Sequence, residues 1–176
     1  MKTLNSLRIQ SPLGHISLVA SPAGLCGVWF DDQKHGPSEA EQAQWQPSPQ
    51  HPLLQQAAQQ LHAYFAGELQ RFDLPLDPSA GTVFQQAVWQ ALRPIPVGAS
   101  QSYGDLARYL GKPKAVRAVG AAVGRNPVGI IVPCHRVLGA GGQLTGYAGG
   151  LWRKHALLRL EGHPLALTTS APLLPE

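Results

Sequence analysis

The sequence predicts a mixed α/β (α+β) protein in two parts. A small N-terminal α/β domain with a mainly antiparallel sheet covers 1–79, and a mostly helical C-terminal domain covers 80–165. Three observations predict this. Short β-like runs lie between 7 and 30, separated by turn residues. From 82 onward the apolar residues follow helical spacing and the helix starts carry capping patterns. Between the two halves, Asp77-Pro78-Ser79-Ala80-Gly81 has the composition of a domain boundary.

In the first half, Ile9 and Ile16-Ser17-Leu18-Val19 have strand character, with a turn at Ser11-Pro12-Leu13-Gly14. A second turn, Ser21-Pro22-Ala23-Gly24, precedes the run Leu25-Cys26-Gly27-Val28-Trp29-Phe30. Residues 31–52 are polar and contain four prolines, which predicts a loop. Leu53, Leu54, Ala57, Ala58, Leu61, Tyr64 and Phe65 fall at helical spacing, so 53–66 is predicted helical. Phe72-Asp73-Leu74-Pro75-Leu76 resembles a short strand.

In the second half, Thr82-x-x-Gln85 is a capping box opening a helix with Phe84, Val88, Trp89 and Leu92 on one face, ending near Pro94. Ser102-x-x-Asp105 opens another, closed by Gly111, and Pro113 stands near the start of a third over 114–123. Two short helices joined by Gly111-Lys112-Pro113 predict a helix-turn-helix. The apolar run ending at Pro133-Cys134 reads as a buried strand, Gly139-Ala140-Gly141-Gly142 as a hairpin-type turn, 151–160 as a last helix, and 166–176 as a loose tail.

Composition narrows the function classes. The chain has 176 residues, 44% apolar and 14% charged, and no apolar run long enough to span a bilayer. The N-terminus leads straight into strand-like sequence, so no signal peptide is expected. Two cysteines, Cys26 and Cys134, make a poor disulfide framework and suit a reducing, cytoplasmic setting. The net charge of +4 is unevenly spread. Residues 1–79 hold four Lys/Arg against seven Asp/Glu, whereas 80–165 hold ten against two. A one-sided positive field of this kind favours a polyanionic partner.

Chemistry concentrates in Ile131-Val132-Pro133-Cys134-His135-Arg136-Val137. A thiol becomes a strong nucleophile as the thiolate, and an adjacent base or positive field is what generates one. A cysteine beside a histidine therefore marks a candidate nucleophile, although a lone cysteine in an apolar run can equally be a small core residue. Neighbouring residues on a strand point to opposite faces, so cooperation between Cys134 and His135 requires a turn or a bridging water. The helix Val116-Arg117-Ala118-Val119-Gly120-Ala121-Ala122-Val123 is rich in small side chains. Such a helix either packs in a core or lets its backbone approach nucleic acid closely, where a long Arg can occupy the place of an extruded base.

Taken together, Ser102-Tyr103, Arg117-Ala118-Val119-Gly120, Arg125-Asn126-Pro127, Ile131 through Val137, Leu144-Thr145-Gly146-Tyr147-Ala148-Gly149-Gly150 and Glu161-Gly162 resemble the O6-alkylguanine-DNA alkyltransferases. The resemblance is specific from about 82 to 162 and weaker before that. It implies direct reversal of DNA damage. An O6-alkylguanine is flipped out of duplex DNA and its alkyl group passes irreversibly to Cys134, once per molecule, with O4-alkylthymine as a secondary substrate. It also implies that the helical domain is of winged helix-turn-helix type, that it enters the minor groove, and that the protein works as a monomer, with cooperative binding left open.

Residue by residue, the resemblance gives His135 the role of base acting through a water, with Glu161 orienting it. Tyr103 would donate to guanine N3, and Arg117, on a helix with Ala118 and Gly120 against the DNA, would replace the flipped nucleotide. Asn126 would brace the active-site turn. Tyr147 and the Ala148 N–H would line the pocket, and the carbonyls of Cys134 and Val137 would read the guanine amino group. Arg136 is assigned no chemistry beyond structural ion pairing. Some relatives have serine where Ala148 stands and some carry an N-terminal zinc site. Around Cys26, however, His15, His35, His51 and His62 lack ligand spacing, so neither metal nor cofactor is expected. Two other readings remain open from sequence: a non-catalytic damage sensor or helix-turn-helix regulator, and a turnover Cys-His hydrolase or acyltransferase.

Overall fold

The computed structural model describes residues 2–172. The chain forms two compact units, one of residues 1–80 with 127–129 and one of 81–126 with 130–176.

The first unit is built on a four-stranded sheet of order β3-β2-β1-β4. Strands β1 (Asn5–Ser11), β2 (Gly14–Ser21) and β3 (Gly24–Phe30) form an antiparallel meander. Its first turn is closed by Ser11, whose Oγ donates to the Gly14 carbonyl (2.7 Å) and accepts from the Leu13 N–H (3.1 Å). Ile16, Leu18, Leu25, Val28 and Phe30 are buried. Helix α2 (Pro52–Phe65) covers the sheet with Leu54, Ala57, Leu61 and Tyr64, an i, i+3, i+7, i+10 stripe.

Two expectations need correction here. The segment 31–52 is not all loop, since it holds α1 (Glu39–Ala43) and the short β4 (Gln46–Pro47), which pairs parallel with β1. A Ser38/Glu41 capping box starts α1, and Trp45 then stacks on Trp29 with ring centroids 5.8 Å apart. Trp29 in turn lies flat on Gly27, where any side chain would collide with the ring. Conversely, 72–76 is not a strand. Only Leu76 bridges to Leu25, because Pro75 has no N–H to extend a ladder.

The second unit is mostly helical. Helix α3 (Val83–Leu92) begins at a complete Thr82/Gln85 capping box and buries Val88, Trp89, Ala91 and Leu92. Thr82→Ala should therefore cost about 1 kcal/mol of stability, read as a lower urea midpoint at unchanged slope. Trp89 Nε1 donates to the Ala122 carbonyl (2.8 Å), tying α3 to the third helix of the unit.

Helices α4 (Tyr103–Tyr109) and α5 (Val116–Gly124) form the helix-turn-helix. Its turn is a Schellman motif: Lys112 N–H donates to Ala107 O (2.8 Å) and Gly111 N–H to Arg108 O (2.9 Å). Gly111 takes φ +72° there, a left-handed conformation that side chains resist.

Three further differences from expectation concern the rest of the chain. The run before Cys134 is not a strand. Residues 129–132 are turns and bends, with Ile130 at φ +68°, and Cys134–Arg136 is one turn of 3-10 helix. A two-residue β6 (Val137–Leu138) follows, parallel to β5 (Gln101–Ser102). Residues 139–142 form a 3-10 turn, with Gly142 N–H donating to Gly139 O (3.0 Å); Gly139 N–H to Gln143 O (2.8 Å) closes the chain reversal, but no paired strands flank it.

After α6 (Leu151–Leu160), the tail is not loose at its start: α7 (Pro164–Thr168) docks there with Ala166 buried. His163 caps α7, accepting from Leu165 N–H at Nδ1 (3.1 Å) and donating from Nε2 to Ser100 Oγ (2.9 Å). The end of that tail, 173–176, lies outside the described residues. Among the described residues, no helix is long and apolar enough to cross a membrane.

Candidate active site

All the residues of the site lie in the second unit. Cys134 opens the 3-10 turn, and its sulfur is buried. Three residues per turn set successive side chains about 120° apart. Cys134 and His135 thus avoid the opposed orientation of a strand. Ahead of the turn, the buried Ile130 holds a left-handed backbone that a β-branched residue disfavours, a strain of about 1–3 kcal/mol. Asn126 stabilises this segment by donating from Nδ2 to the Val132 carbonyl (2.8 Å), and its amide also hydrogen-bonds the Cys134 sulfur.

His135 is fully buried, and its Nε2 lies 2.7 Å from Glu161 Oε2. A carboxylate only accepts, so Nε2 carries the proton and Nδ1 of the neutral ring offers its lone pair. Nδ1 makes no hydrogen bond with any described residue. Glu161 caps the end of α6 with its side chain buried. Arg136 grips it with Nε to Oε1 (2.8 Å) and Nη2 to Oε2 (2.9 Å), and Arg136 Nη1 donates to the Ile95 carbonyl. Burial pushes the Glu161 pKa up, but hydrogen bonds and charge from His135 and Arg136 outweigh it and hold the group at about 2. Burial lowers the His135 pKa; Glu161 opposes this, while Arg136 and Lys154 reinforce it. The resting pair is therefore ionised Glu161 and neutral His135.

Lys154 is the least expected member. It is wholly buried in α6, and its ammonium donates to three carbonyls: Val137, Thr145 (2.7 Å) and Gly146 (3.0 Å). Burial lowers its pKa to about 8, against a raising pull from the Cys134 thiolate. Burial raises the thiol's own pKa, opposed by the Asn126 hydrogen bond and the Lys154 charge. Cys134 thus rests as a thiol inside a frame that favours its anion once a base takes the proton.

Lys154 also pins the loop 144–149. There Tyr147 and Ala148 are both half-buried. A side chain at Gly149 would come within 2.7 Å of the Tyr147 ring, so the ring closes over bare backbone. Tyr103, the first residue of α4, reaches the same loop with its hydroxyl 3.4 Å from the Thr145 carbonyl. A side chain added at Gly120 of α5 would meet the Tyr103 ring at van der Waals distance (3.7 Å).

The structure thus gathers Cys134, His135, Glu161, Asn126, Val137, Tyr103 and Tyr147 into one neighbourhood. Arg117 and Ala118 lie on the exposed face of α5, with Val116 and Ala121. Sequence reasoning missed Lys154, and assigned Arg136 only ion pairing. The signal for Lys154 was its place at i−3 and i−4 to Leu157 and Leu158, the inward stripe of α6. Among the described residues, no group of three His, Cys, Asp or Glu is placed to hold a metal ion.

Known proteins resemble this chain along nearly its whole length. Residues 83–163 match the DNA-binding domain of 6-O-methylguanine DNA methyltransferase, and 8–78 match its ribonuclease-like domain. The methylated-DNA–protein-cysteine methyltransferase of Mycobacterium leprae is 50% identical over 155 residues, which cover 88% of this chain and 90% of the relative. That of Methanosarcina acetivorans is 49% identical over 153 residues, 87% and 95% of the two chains. The crystal structure of Mycobacterium tuberculosis OGT in complex with DNA superposes with a TM-score of 0.80 at 47% identity, covering 94% of this chain and 98% of that one. With both domain models matched in order and half the residues shared with these relatives, the chain belongs to the 6-O-methylguanine DNA methyltransferase family.

Proposed function

We propose that this protein repairs DNA by direct damage reversal, transferring the alkyl group of an O6-alkylguanine to Cys134 in a single irreversible turnover. One observation carries the mechanism: His135 commits Nε2 to Glu161 and leaves Nδ1, on the turn it shares with Cys134, as the open basic position. Through a bridging water, Nδ1 takes the thiol proton. The sulfur bonds to the alkyl carbon and the carbon–O6 bond breaks, its electron pair going to guanine. Guanine regains one proton, and His135 returns to neutral. Tyr103 donates to guanine N3 and offsets the charge that develops there. The resulting thioether has no easy leaving group, so each molecule acts once.

Recognition follows from the second unit. Arg117, Ala118 and the neighbouring exposed positions of α5 present one cation among small side chains. This suits close entry into the minor groove of duplex DNA, with Arg117 filling the gap left by the flipped nucleotide. The carbonyls of Cys134 and Val137 read the guanine amino group, and Tyr147 with the Ala148 N–H lines the pocket. O4-alkylthymine is a secondary substrate. The protein acts as a monomer in the cytoplasm, where reducing conditions keep Cys134 free.

Intact-protein mass spectrometry after incubation with an O6-methylguanine duplex tests this directly. The expected result is one methyl mass gain on Cys134, saturating at one per molecule and absent in Cys134→Ser. Tight duplex binding without mass gain would leave a damage sensor as the better account, and many products per protein would indicate a turnover enzyme.

A further inference from the structure

Glu161 serves two partners at once. Its Oε2 accepts from both His135 Nε2 (2.7 Å) and Arg136 Nη2 (2.9 Å), while Oε1 accepts from Arg136 Nε (2.8 Å). All three side chains are buried. A buried carboxylate facing a histidine alone raises the pKa of the imidazole and favours its protonated form, which compensates the charge. Here the neutralising cation is already present, and it is one that does not lose its proton.

Protonating His135 would leave the cluster with an uncompensated positive charge. Lys154 adds a further positive charge on the α6 side, and the remaining neighbour on the turn is the Cys134 thiol. His163, two residues beyond Glu161, also feels the Glu161 charge, but burial opposes its protonation and both its ring nitrogens are engaged, with Leu165 and Ser100.

We propose that Arg136 is a positioning residue for the reaction: by neutralising Glu161 it keeps His135 neutral and able to accept the Cys134 proton. The bidentate grip also fixes the carboxylate, so Nε2 keeps its proton and Nδ1 stays the basic position. This rests on the alkyl-transfer reading for its consequence, while its physical content, the protonation state of His135, can be read without it.

The consequence of removing the cation follows from the same geometry. In Arg136→Gln the buried Glu161 carboxylate keeps its hydrogen bond to His135 and loses its bidentate cation, so His135 takes up a proton and its folded-state pKa rises above the ordinary value. A raised histidine contributes stability that is complete below the unfolded pKa of about 6.5 and is lost as pH rises through the folded value. Arg136→Gln should therefore become less stable from about pH 6.5 upward, a dependence the wild type lacks. Arg136→Lys restores the charge without the fork and should restore the wild-type pH behaviour.

The experiment is 15N NMR of His135 in the wild type, Arg136→Lys and Arg136→Gln, alongside single-turnover transfer from an O6-methylguanine duplex between pH 5.5 and 8. The expected result is a neutral His135 in wild type throughout that range. In Arg136→Gln an acid limb absent from the wild type should enter that range, so that transfer is lost by about tenfold or more at pH 5.5 and the loss narrows toward pH 8. A wild-type His135 that titrates near 6.5 overturns the proposal even if neither variant folds. So does an Arg136→Gln protein with neutral His135 whose transfer falls equally at every pH. If the wild type transfers no alkyl group, the functional reading fails, and the NMR arm still decides the role of Arg136.

Discussion

Lys154→Met is expected to slow single-turnover alkyl transfer by about 100-fold, the scale of loss when a change away from the reacting atoms misplaces them. Methionine fills much of the volume but supplies none of the three hydrogen bonds to Val137, Thr145 and Gly146. The Val137 carbonyl and the loop carrying Tyr147 lose their shared anchor, and the Cys134 thiolate loses a nearby cation. Duplex affinity, measured by fluorescence anisotropy, should change little, because the ammonium is buried and faces carbonyls. The charge has a pH limit, since burial holds the Lys154 pKa at about 8. Wild-type transfer should decline above that pH, and the decline should be missing from the variant. A rate within about threefold of wild type would reduce Lys154 to a structural plug.

Glu161→Gln should cost about 3–5 kcal/mol of folding stability, the usual penalty for removing one partner of a buried ion pair. The reason is asymmetric. Arg136 cannot shed its proton, so the variant must bury an unpaired cation with only the Ile95 carbonyl and an amide to receive it. A lower urea midpoint with an unchanged slope would record it. The pH dependence fixes the origin of the effect. Glu161 is held at about 2 in the folded protein, below its ordinary 4.5. A depressed carboxylate contributes stability that is present above its unfolded pKa and disappears as pH falls through the folded value. The wild type should lose stability between about pH 4.5 and 2 through this group, and the glutamine variant should lack that component. Equal acid sensitivity of both proteins would place the stabilisation elsewhere.

What the sequence revealed, and what it hid, follows physical lines. The capping boxes at Thr82 and Ser102 announced α3 and α4 because capping is local chemistry. The same pattern at Ser38 went unread among prolines, since what secures α1 and β4 is the distant stack of Trp45 on Trp29. The run before Cys134 looked like a strand because apolar content says nothing about φ. The chain is turned there by Ile130 in a left-handed conformation and by the Asn126 bond to Val132.

The nucleophile and its neighbour were legible as a pair in sequence, whereas Glu161, 26 positions from His135, was reached only through family resemblance. Lys154 stayed hidden because a lysine in a helix ordinarily points to solvent. Its three carbonyl partners come from irregular backbone that periodicity cannot foresee.

The buried, protonated state of Cys134 has a consequence for survival between encounters. Thiolates, not thiols, react with peroxides and disulfides, and exposed, acidic ones react first. A sulfur kept neutral and nearly inaccessible is a poor target for both. For a molecule that can react once, chemical inertness at rest guards against spending that single reaction on an oxidant. Under the proposed mechanism, the same shielding that calls for His135 as base therefore acts as the protein's shelf life.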